Sequence, residues 1–336
     1  MKAMVLRKPG GLDRIEQVER PAPGQPAASE IRVRVQASSL NYHDLGVAIG
    51  RSPVSDGRIL LGDGAGIVEA VGSDITDFAP GDLVVGSAFP QWRSGPPFVS
   101  SFAETPGDGV DGFACSFMTA PARGFTHAPA GYSAAEAGTV TTAGVTAWRA
   151  LQVHGPLKPG ETVLVQGSGG VSVYALQIAK AAGATVIATS SSDDKLDVLA
   201  RLGADHLINY RTRPDWGQAA LDWTDGKGVD HVLDVGGPAT IGQSITAVRV
   251  GGHIAVIGVL GGLSGELSFI PVLAKQIRMQ GCLNGNYQDQ VDLIAFLEEH
   301  RIRPVLDKRT FKVEQLAEAF AYQQSGAHFG KIVLEI

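Results

Sequence analysis

Cysteine is scarce: the 336 residues contain only Cys115 and Cys282. Two thiols do not make the disulfide framework of a small secreted domain. Cys115 has no basic neighbour that would favour a reactive thiolate, and Cys282 is expected to be inert core. Long apolar runs are missing too, since no window of about 18 residues is free of polar groups. The start, MKAMVLRKPGG, lacks a secretory signal, so we expect a cytoplasmic protein without membrane contact.

An excess of basic residues is also absent. Lysine and arginine number 28 against 34 aspartates and glutamates, a formal net charge of −6, and the arginines are scattered singly. Proteins that bind nucleic acids usually carry a basic stripe. We therefore expect a small-molecule substrate and no nucleic acid as partner.

The chain is too long for one ordinary core, which predicts two domains. As far as about residue 120, short segments alternate apolar and polar residues, as at 31–35, and are separated by glycine and proline turns. This pattern favours a β barrel or sandwich. Ser133 and Glu136 then form a capping-box signature, from which an alanine-rich helix is expected to run towards Trp148. Strands and helices alternate beyond it, which is typical of a doubly wound parallel sheet.

We predict the elements of this second half from their apolar runs and turns. The predicted strands are 162–166, 185–189, 206–209, 229–235, 253–259 and 277–283. The predicted helices are 173–182, 194–202, 291–300 and 313–324, and a last strand covers 331–336.

The strongest local pattern is VLVQGSGGVSVYALQIAKAAG, a buried strand, a glycine turn and a helix. Glycines let the backbone turn sharply and approach a pyrophosphate, whose charge then lies at the helix N-terminus. The turn nearly matches G-x-G-x-x-G, with Ser172 in place of the last glycine, which we expect to push the helix slightly outward. Its position between two strands favours a dinucleotide site over a purely structural turn. The predicted contacts are Gly167, Ser168, Gly169, Gly170 and Val171.

The end of the next strand indicates which dinucleotide binds. NAD enzymes usually place a carboxylate there, and this carboxylate would repel the 2′-phosphate of NADP. Here Ser190 and Ser191 end the strand, and the first carboxylate is Asp193. Lys195 follows within one helical turn, and Tyr210 could close over the adenosine phosphate. The pattern therefore predicts NADPH (NADP+), although the serines could also simply cap the helix.

Several blocks together resemble a known family. They are SSLNYHDL, LLGDGAGIVEAVG, FAPGDLV, AGVTAWRAL, VLVQGSGGV, LGADHLINY, GGHIAVIG and FGKIVLEI, and they span essentially the whole chain. In this order they resemble the medium-chain dehydrogenase/reductase superfamily, in particular its zinc-independent, quinone oxidoreductase-like branch. The resemblance implies an α/β protein with a GroES-like β-rich catalytic domain (1–130 and 285–336) and a Rossmann doubly wound parallel-sheet domain (131–284).

Zinc members of this family hold a catalytic zinc with cysteine and histidine ligands. Matched block by block, the ligand positions fall on Asn41, Gly62 and Thr142, and a neighbouring glutamate falls on Asp63. None of these side chains offers the thiolate or imidazole that tetrahedral zinc prefers. Cys115 alone is no structural four-thiolate site, so we expect no metal.

A metal site rebuilt from His43, Asp44 and Asp63 is the less favoured alternative, because a single histidine among acidic residues is more often simply hydrogen-bonded. Asp44 is expected to fix the local turn, with His43 on a strand or turn.

Without a Lewis acid, a developing alkoxide lacks its usual stabilisation, whereas a conjugated acceptor spreads the charge over an enolate or quinol. The expected substrates are therefore quinones, enones and related small carbonyls. The catalytic candidates are Asn41, Tyr42 and His43, of which His43 has the most suitable pKa for proton donation. Alternatively, Asn41 and Tyr42 lie along the nicotinamide. The loops 50–58 and 89–112 are expected to set the substrate.

Further cofactor contacts are expected where ligands bind in open α/β sheets, at the carboxyl ends of strands. Gly236, Gly258 and Val259 lie at such ends, and Thr146 is expected on the nicotinamide side. Lys331 either approaches the cofactor or is a surface charge.

Relatives usually dimerise through the last strand of the Rossmann sheet, which would protect its open edge. The segment 277–283 would serve in this chain, and we expect a homodimer. Two alternative functions remain: an NAD(P)-dependent alcohol dehydrogenase acting on alcohols or aldehydes, and a non-catalytic nucleotide- or RNA-binding protein.

Overall fold

The computed structural model describes residues 1–52, 54–99 and 101–336. Pro53 and Ser100, which belong to the loops expected to set the substrate, lie outside the described residues. The chain forms two compact units, which we call unit 1 (Met1–Val145 and Gly285–Ile336) and unit 2 (Thr146–Asn284).

Sixteen strands are found among the described residues, and ten helices. The strands are β1 (Lys2–Leu6), β2 (Ile15–Glu19), β3 (Glu30–Ser39), β4 (Arg58–Ile59), β5 (Ala65–Val71), β6 (Leu83–Gly86), β7 (Phe117–Pro121), β8 (Phe125–His127), β9 (Thr162–Gln166), β10 (Thr185–Ser190), β11 (His206–Asn209), β12 (Val229–Asp234), β13 (Val248–Val256), β14 (Arg278–Gly281), β15 (Leu306–Lys312) and β16 (Lys331–Glu335). The helices are α1 (Tyr42–Ala48), α2 (Ala134–Ala137), α3 (Val145–Trp148), α4 (Gly170–Ala181), α5 (Asp193–Arg201), α6 (Trp216–Trp223), α7 (Ile241–Ala247), α8 (Phe269–Ala274), α9 (Tyr287–Glu299) and α10 (Leu316–Gln324).

Unit 1 is rich in β structure, as predicted. A three-stranded sheet has the order β2-β1-β4, and a larger sheet has the order β15-β16-β3-β5-β6-β8, with β7 also paired to β3. Along β3, Ile31, Val33 and Val35 are buried in one core cluster. Between them, Arg32 and Arg34 form ion pairs with Glu69 of β5 at 3.6 and 3.3 Å. The alternation predicted for this segment therefore separates core from surface.

The helix α1 corrects the expectation that His43 lies on a strand or turn. Asn41 is the N-cap residue and has an extended backbone. Asp44, at the third helical position, accepts a hydrogen bond from the backbone N of Asn41 at 2.9 Å, one half of a capping box. The spacing N-x-x-D in the sequence is the signal for this helix start.

The capping box of Ser133 and Glu136 is present, with Glu136 Oε2 accepting from the Ser133 backbone N at 2.8 Å. The helix that follows is much shorter than expected: α2 ends at Ala137 and does not run on towards Trp148. Thr139 donates its hydroxyl to the Glu136 carbonyl at 2.7 Å, which competes with regular helical bonding. π-Helical turns at Val140–Gly144 and Arg149–His154 flank α3. Since α2 contacts β3, β5 and β16, the first division between the units falls after Val145 rather than at 130/131.

Unit 2 is a parallel sheet of six strands in the order β11-β10-β9-β12-β13-β14. This is a doubly wound order that reverses between β9 and β12. β13 begins at Val248, well before the predicted residue 253, and ends at Val256. β14 is shorter than the predicted 277–283 and mostly exposed, so it is not an apolar core strand. Cys282 is buried just beyond it, with Sγ 3.7 Å from the Thr146 carbonyl oxygen.

β14 ends the order of this sheet, and six exposed apolar side chains precede it in the chain. These are Val259, Leu260, Leu263, Phe269, Ile270 and Leu273. An open strand edge and exposed apolar side chains are the kinds of surface that the predicted homodimer would cover. The homodimer stays a prediction, and a monomeric mass in light scattering would contradict it.

Within the described ranges, no helix combines the length and apolar character needed to cross a membrane.

The core of unit 2 contains two buried histidines on neighbouring strands, His231 of β12 and His253 of β13. His231 Nε2 is 3.0 Å from Glu161 Oε2, and its Nδ1 is 3.4 Å from Nδ1 of His253. Burial, reinforced by the charges of His231, Arg278 and His154, lowers the pKa of His253 to about 4.

This burial predicts a pH-dependent stability. The folded chain holds His253 neutral, whereas the unfolded chain binds a proton below its ordinary pKa of about 6.5. The free energy of unfolding should therefore fall as pH drops below about 6.5 towards 4, by about 2 kcal/mol between pH 7 and pH 5 from this residue. Urea unfolding at pH 7 and pH 5 measures the effect, and the variant H253N should show the smaller pH dependence. Equal pH dependence in both proteins would contradict the assignment.

Candidate functional site

In unit 2, the glycine turn begins where β9 ends. Gly167 has φ +76°, a conformation that favours glycine, and its N–H donates to the Thr189 carbonyl at 2.8 Å. A Cβ added at Gly167 or Gly169 would meet no atom within 4 Å, so the turn borders open space. Gly169 is the N-cap of α4 and offers no side-chain cap. The first N–H groups of this helix therefore suit an anion such as a pyrophosphate.

Ser172 was expected to push α4 outward. Its side chain is buried, and its hydroxyl donates to the Gln166 carbonyl at 2.6 Å. The serine thus ties the first turn of α4 to the end of β9.

The carboxyl end of β10 brings together the residues predicted to contact the adenosine phosphate. The Tyr210 N–H donates to the Ser190 carbonyl at 3.0 Å. Ser190 is buried, Ser191 and Lys195 are half-buried at the start of α5, and Tyr210 is exposed. The exposed carboxylate of Asp193 accepts a hydrogen bond from Asn209 Nδ2 at 2.7 Å.

Two polar residues that the sequence analysis did not single out organise the neighbouring loop. Gln166 Nε2 donates to Ser244 Oγ at 2.8 Å and to Asp234 Oδ2 at 3.2 Å, and Gln166 Oε1 accepts from the backbone N of Gly236 at 3.4 Å. Asp234 Oδ1 accepts from the backbone N of Gly237 at 2.8 Å. Each is the last residue of an otherwise largely apolar strand, a signal that the sequence did carry.

The remaining predicted cofactor positions of unit 2 lie beyond strand ends or in α3. Gly258 and Val259 follow β13, and the Gly258 N–H donates to the Asp234 carbonyl at 3.3 Å. A Cβ at Gly258 would come within 2.5 Å of the Val235 carbonyl oxygen, so the close approach requires glycine. Thr146 is buried. Most of the predicted cofactor positions of unit 2 follow or end parallel strands, and so lie at one edge of the sheet, where doubly wound folds bind ligands. They are Gly167 to Val171, Ser190, Tyr210, Gly236 and Gly258.

In unit 1, Lys331 lies at the centre of a buried polar network. Its side chain is 4% exposed, so the alternative of a surface charge is wrong. Nζ donates to the Leu40 carbonyl at 2.8 Å and to Asn41 Oδ1 at 2.6 Å, and lies 3.4 Å from Asp63 Oδ2. These acceptors use all three donors of the ammonium group. Burial lowers the pKa of Lys331, and the charges of Asp63 and Asp44 oppose this effect.

Asp63 extends the same network to the positions matched with zinc ligands. It is fully buried and accepts hydrogen bonds from Ser39 Oγ at 2.8 Å and Thr142 Oγ1 at 2.6 Å. The backbone N of Gly62 donates to Asp44 Oδ1 at 2.8 Å. An amide, a hydroxyl and a carboxylate paired with an ammonium do not fit a tetrahedral zinc ion. In the part of the chain that the structure describes, no group of three or more His, Cys, Asp or Glu residues could hold a metal ion.

The catalytic candidates lie together at the start of α1. Asn41 Nδ2 is buried and has no hydrogen-bond partner among residues 1–52, 54–99 and 101–336. Tyr42 is 44% exposed. His43 Nε2 lies 3.0 Å from Asp108 Oδ2, and its ring packs at a tilt against Phe102 with centroids 4.1 Å apart. Asp108 is a further residue that sequence reasoning missed, because it lies within a long glycine-rich loop.

The buried ammonium predicts a large loss of stability when it is removed. In Lys331→Met, Asp63 would remain as an uncompensated buried carboxylate, which costs about 3–5 kcal/mol. Lys312→Met is the matched control, because Lys312 pairs with Glu335 at an exposed position and exposed ion pairs contribute little. Urea unfolding at neutral pH compares the two variants. Similar stability of the two would contradict the buried network.

Known proteins resemble the chain over its whole length. Residues 27–130 match the sequence profile of the alcohol dehydrogenase GroES-like domain, and residues 170–299 match that of zinc-binding dehydrogenases. The second match does not include Asn41, Asp63 or Thr142. A zinc-type alcohol dehydrogenase-like protein of Schizosaccharomyces pombe is 40% identical over 334 residues, which cover 97% of this chain and 96% of that protein.

Solved structures agree with this relationship. An NAD-dependent alcohol dehydrogenase is 34% identical with a TM-score of 0.91, and all of both chains is covered. Escherichia coli quinone oxidoreductase complexed with NADPH has a TM-score of 0.85 at 23% identity, again over all of both chains; this likeness shows the fold alone. The chain is thus an oxidoreductase that belongs to the medium-chain dehydrogenase/reductase superfamily.

Proposed function

We propose that this protein is an NADPH-dependent, zinc-independent oxidoreductase that reduces a quinone, an enone or a related small carbonyl. The observation that carries the proposal is the Lys331 ammonium, which binds Asn41 Oδ1 and pairs with Asp63. These side chains occupy two of the positions matched with the zinc site of other members. A cation is therefore already part of the fold at this position.

The fixed ammonium has a consequence for Asn41. Because Lys331 uses Oδ1, the amide nitrogen Nδ2 is the group of Asn41 that stays without a partner in the described chain. A buried donor of this kind stabilises negative charge that develops on an acceptor oxygen. One amide donor is weaker than a zinc ion, so an acceptor whose own conjugation spreads the charge is favoured over a plain ketone.

The cofactor proposal rests on unit 2. When bound, NADPH supplies the hydride. The turn from Gly167 to Gly170 and the first N–H groups of α4 would hold its pyrophosphate. Ser191 and Lys195 would hold the 2′-phosphate with a hydroxyl and a cation, and the first carboxylate after the strand, Asp193, accepts a hydrogen bond from Asn209.

An acceptor panel tests the proposal. With NADPH, the protein should reduce enones and quinones, and a chelator should leave the rate unchanged. NADPH should exceed NADH in kcat/KM, and Ser191→Asp should lower this ratio by at least about tenfold, equivalent to about 1.4 kcal/mol, because the new carboxylate repels the 2′-phosphate. Ser264→Asp, at an exposed position of the same unit, is the matched control and should keep the ratio.

Two outcomes would contradict the proposal. Activity on alcohols alone, abolished by the chelator, would favour an alcohol dehydrogenase. Tight NADPH binding without turnover of any acceptor would favour a non-catalytic nucleotide-binding protein.

A further inference from the structure

A carboxylate lies directly against the imidazole of His43. His43 Nε2 is 3.0 Å from Asp108 Oδ2 and both atoms are buried, so the two form an ion pair, although their geometry is not that of an aligned hydrogen bond. The side chain of His43 is 31% exposed, whereas that of Asp108 is 11% exposed. The other ring nitrogen, Nδ1, has no hydrogen bond to any residue that the structure describes. The histidine therefore has one nitrogen held inside unit 1 and one available to a ligand.

The loop that carries Asp108 is fixed by its own backbone. A Cβ at Gly109 would lie 2.0 Å from the Ala103 carbonyl oxygen, and a Cβ at Gly107 would lie 2.7 Å from the backbone of Leu61. Arg58 Nη2 donates to the Gly109 carbonyl at 2.8 Å. Since these contacts lie on both sides of Asp108, the backbone that carries its carboxylate is closely packed next to the imidazole.

The ring face of His43 is also fixed. Phe102, which precedes Asp108 in the same loop, packs against the imidazole at a centroid distance of 4.1 Å, with the two rings tilted by 36°. An imidazole held at its face by an aromatic ring and at its edge by a carboxylate has a defined orientation.

We propose that Asp108 is the positioning residue of the reaction: its carboxylate orients His43 so that Nδ1–H donates the proton to the oxygen of the acceptor. This proposal rests on the proposed function. The hydride adds to the β-carbon of an enone, and the electron pair of the double bond moves to the carbonyl oxygen. That oxygen takes the proton from Nδ1, which gives the enol, and solvent returns a proton to the ring. With a quinone, the hydride and this one proton complete the reduction, and the hydroquinone forms when the ring carbon loses a proton to solvent as the second oxygen gains one.

The charges around the ring agree with this role. Burial alone would lower the pKa of His43, but the contact with Asp108 and the charge of Asp44 outweigh it and raise the pKa. Asp108 and Asp44 are the charged groups that act on the imidazole, Asp108 from the loop and Asp44 from α1. The doubly protonated ring, with an N–H at each nitrogen, is the form that can bond to Asp108 and also donate a proton.

Kinetics on an enone with NADPH test the proposal through a double-mutant cycle. His43→Asn should lower kcat by about 10², and Asp108→Asn should lower kcat by more than about tenfold with little change in the KM for NADPH. Because Asp108 acts through His43, Asp108→Asn should cause no further loss in the His43→Asn background. Glu104→Gln, an exposed carboxylate in the same loop, is the matched control and should behave as wild type.

Multiplicative losses in the double variant would overturn the proposal, since Asp108 would then act independently of His43. Nitrogen-15 NMR of the histidine rings gives a second readout that needs no turnover. Asp108→Asn, or Asp108→Ser if the asparagine variant does not fold, should shift the His43 Nε2 resonance, identified by its loss in His43→Asn. An unchanged resonance would overturn the positioning role. A shifted resonance in a protein that reduces no acceptor would support the positioning and contradict the proposed function instead.

Discussion

The Lys331 ammonium is the group on which the arrangement of unit 1 depends. β16 pairs antiparallel with β3, with Val333 opposite Ser39, and the Leu40 N–H donates to the Ile332 carbonyl. This register places the first residue of β16 beside the chain that leaves β3. Lys331 of β16 therefore supplies the cation to Leu40, Asn41 and Asp63, which lie much earlier in the chain. Unit 1 is complete only when the chain has returned to it after unit 2.

A buried charge is tolerated only when its partners compensate the loss of water. Lys331 has two oxygen acceptors and a buried carboxylate, and that carboxylate has two hydroxyl donors of its own. Among the described residues, the network leaves the amide nitrogen of Asn41 without an acceptor. The buried network and the proposed chemistry are therefore linked. Asn41 accepts a hydrogen bond from Lys331 through Oδ1, so Nδ2 is the group of Asn41 that remains for a substrate.

The sequence predicts elements well where local patterns define them. β9 and β11 have their predicted bounds, because apolar runs end at turns on both sides. β13 begins earlier than the predicted residue 253, because Gly251 and Gly252 lie within the strand, beside a shift in its register with β12, and interrupt its apolar pattern. Helix α1 was missed although its cap, Asn41 with Asp44, is visible in the sequence. The glycine turn was found because its spacing carries its own chemistry.

The residues that pair with one another in the candidate site could not be predicted from local sequence patterns. Lys331 and Asp63 are separated by 268 residues, and no local period or spacing links them. Asp108 lies in a loop with no regular pattern, and its proximity to His43 depends on backbone contacts of glycines with Leu61 and Ala103. Such pairs depend on the tertiary fold, whereas a capping box or a glycine turn depends on neighbours in the chain.

The central claim is that an internal ammonium, and no metal ion, accompanies hydride transfer in this protein. The most direct measurement is the metal content of protein purified without added metal, determined together with enone reduction by NADPH before and after dialysis against a chelator. We expect far less than one transition-metal ion per chain and the same rate in both samples. One zinc ion per chain, whose removal stops turnover and whose return restores it, would contradict the account.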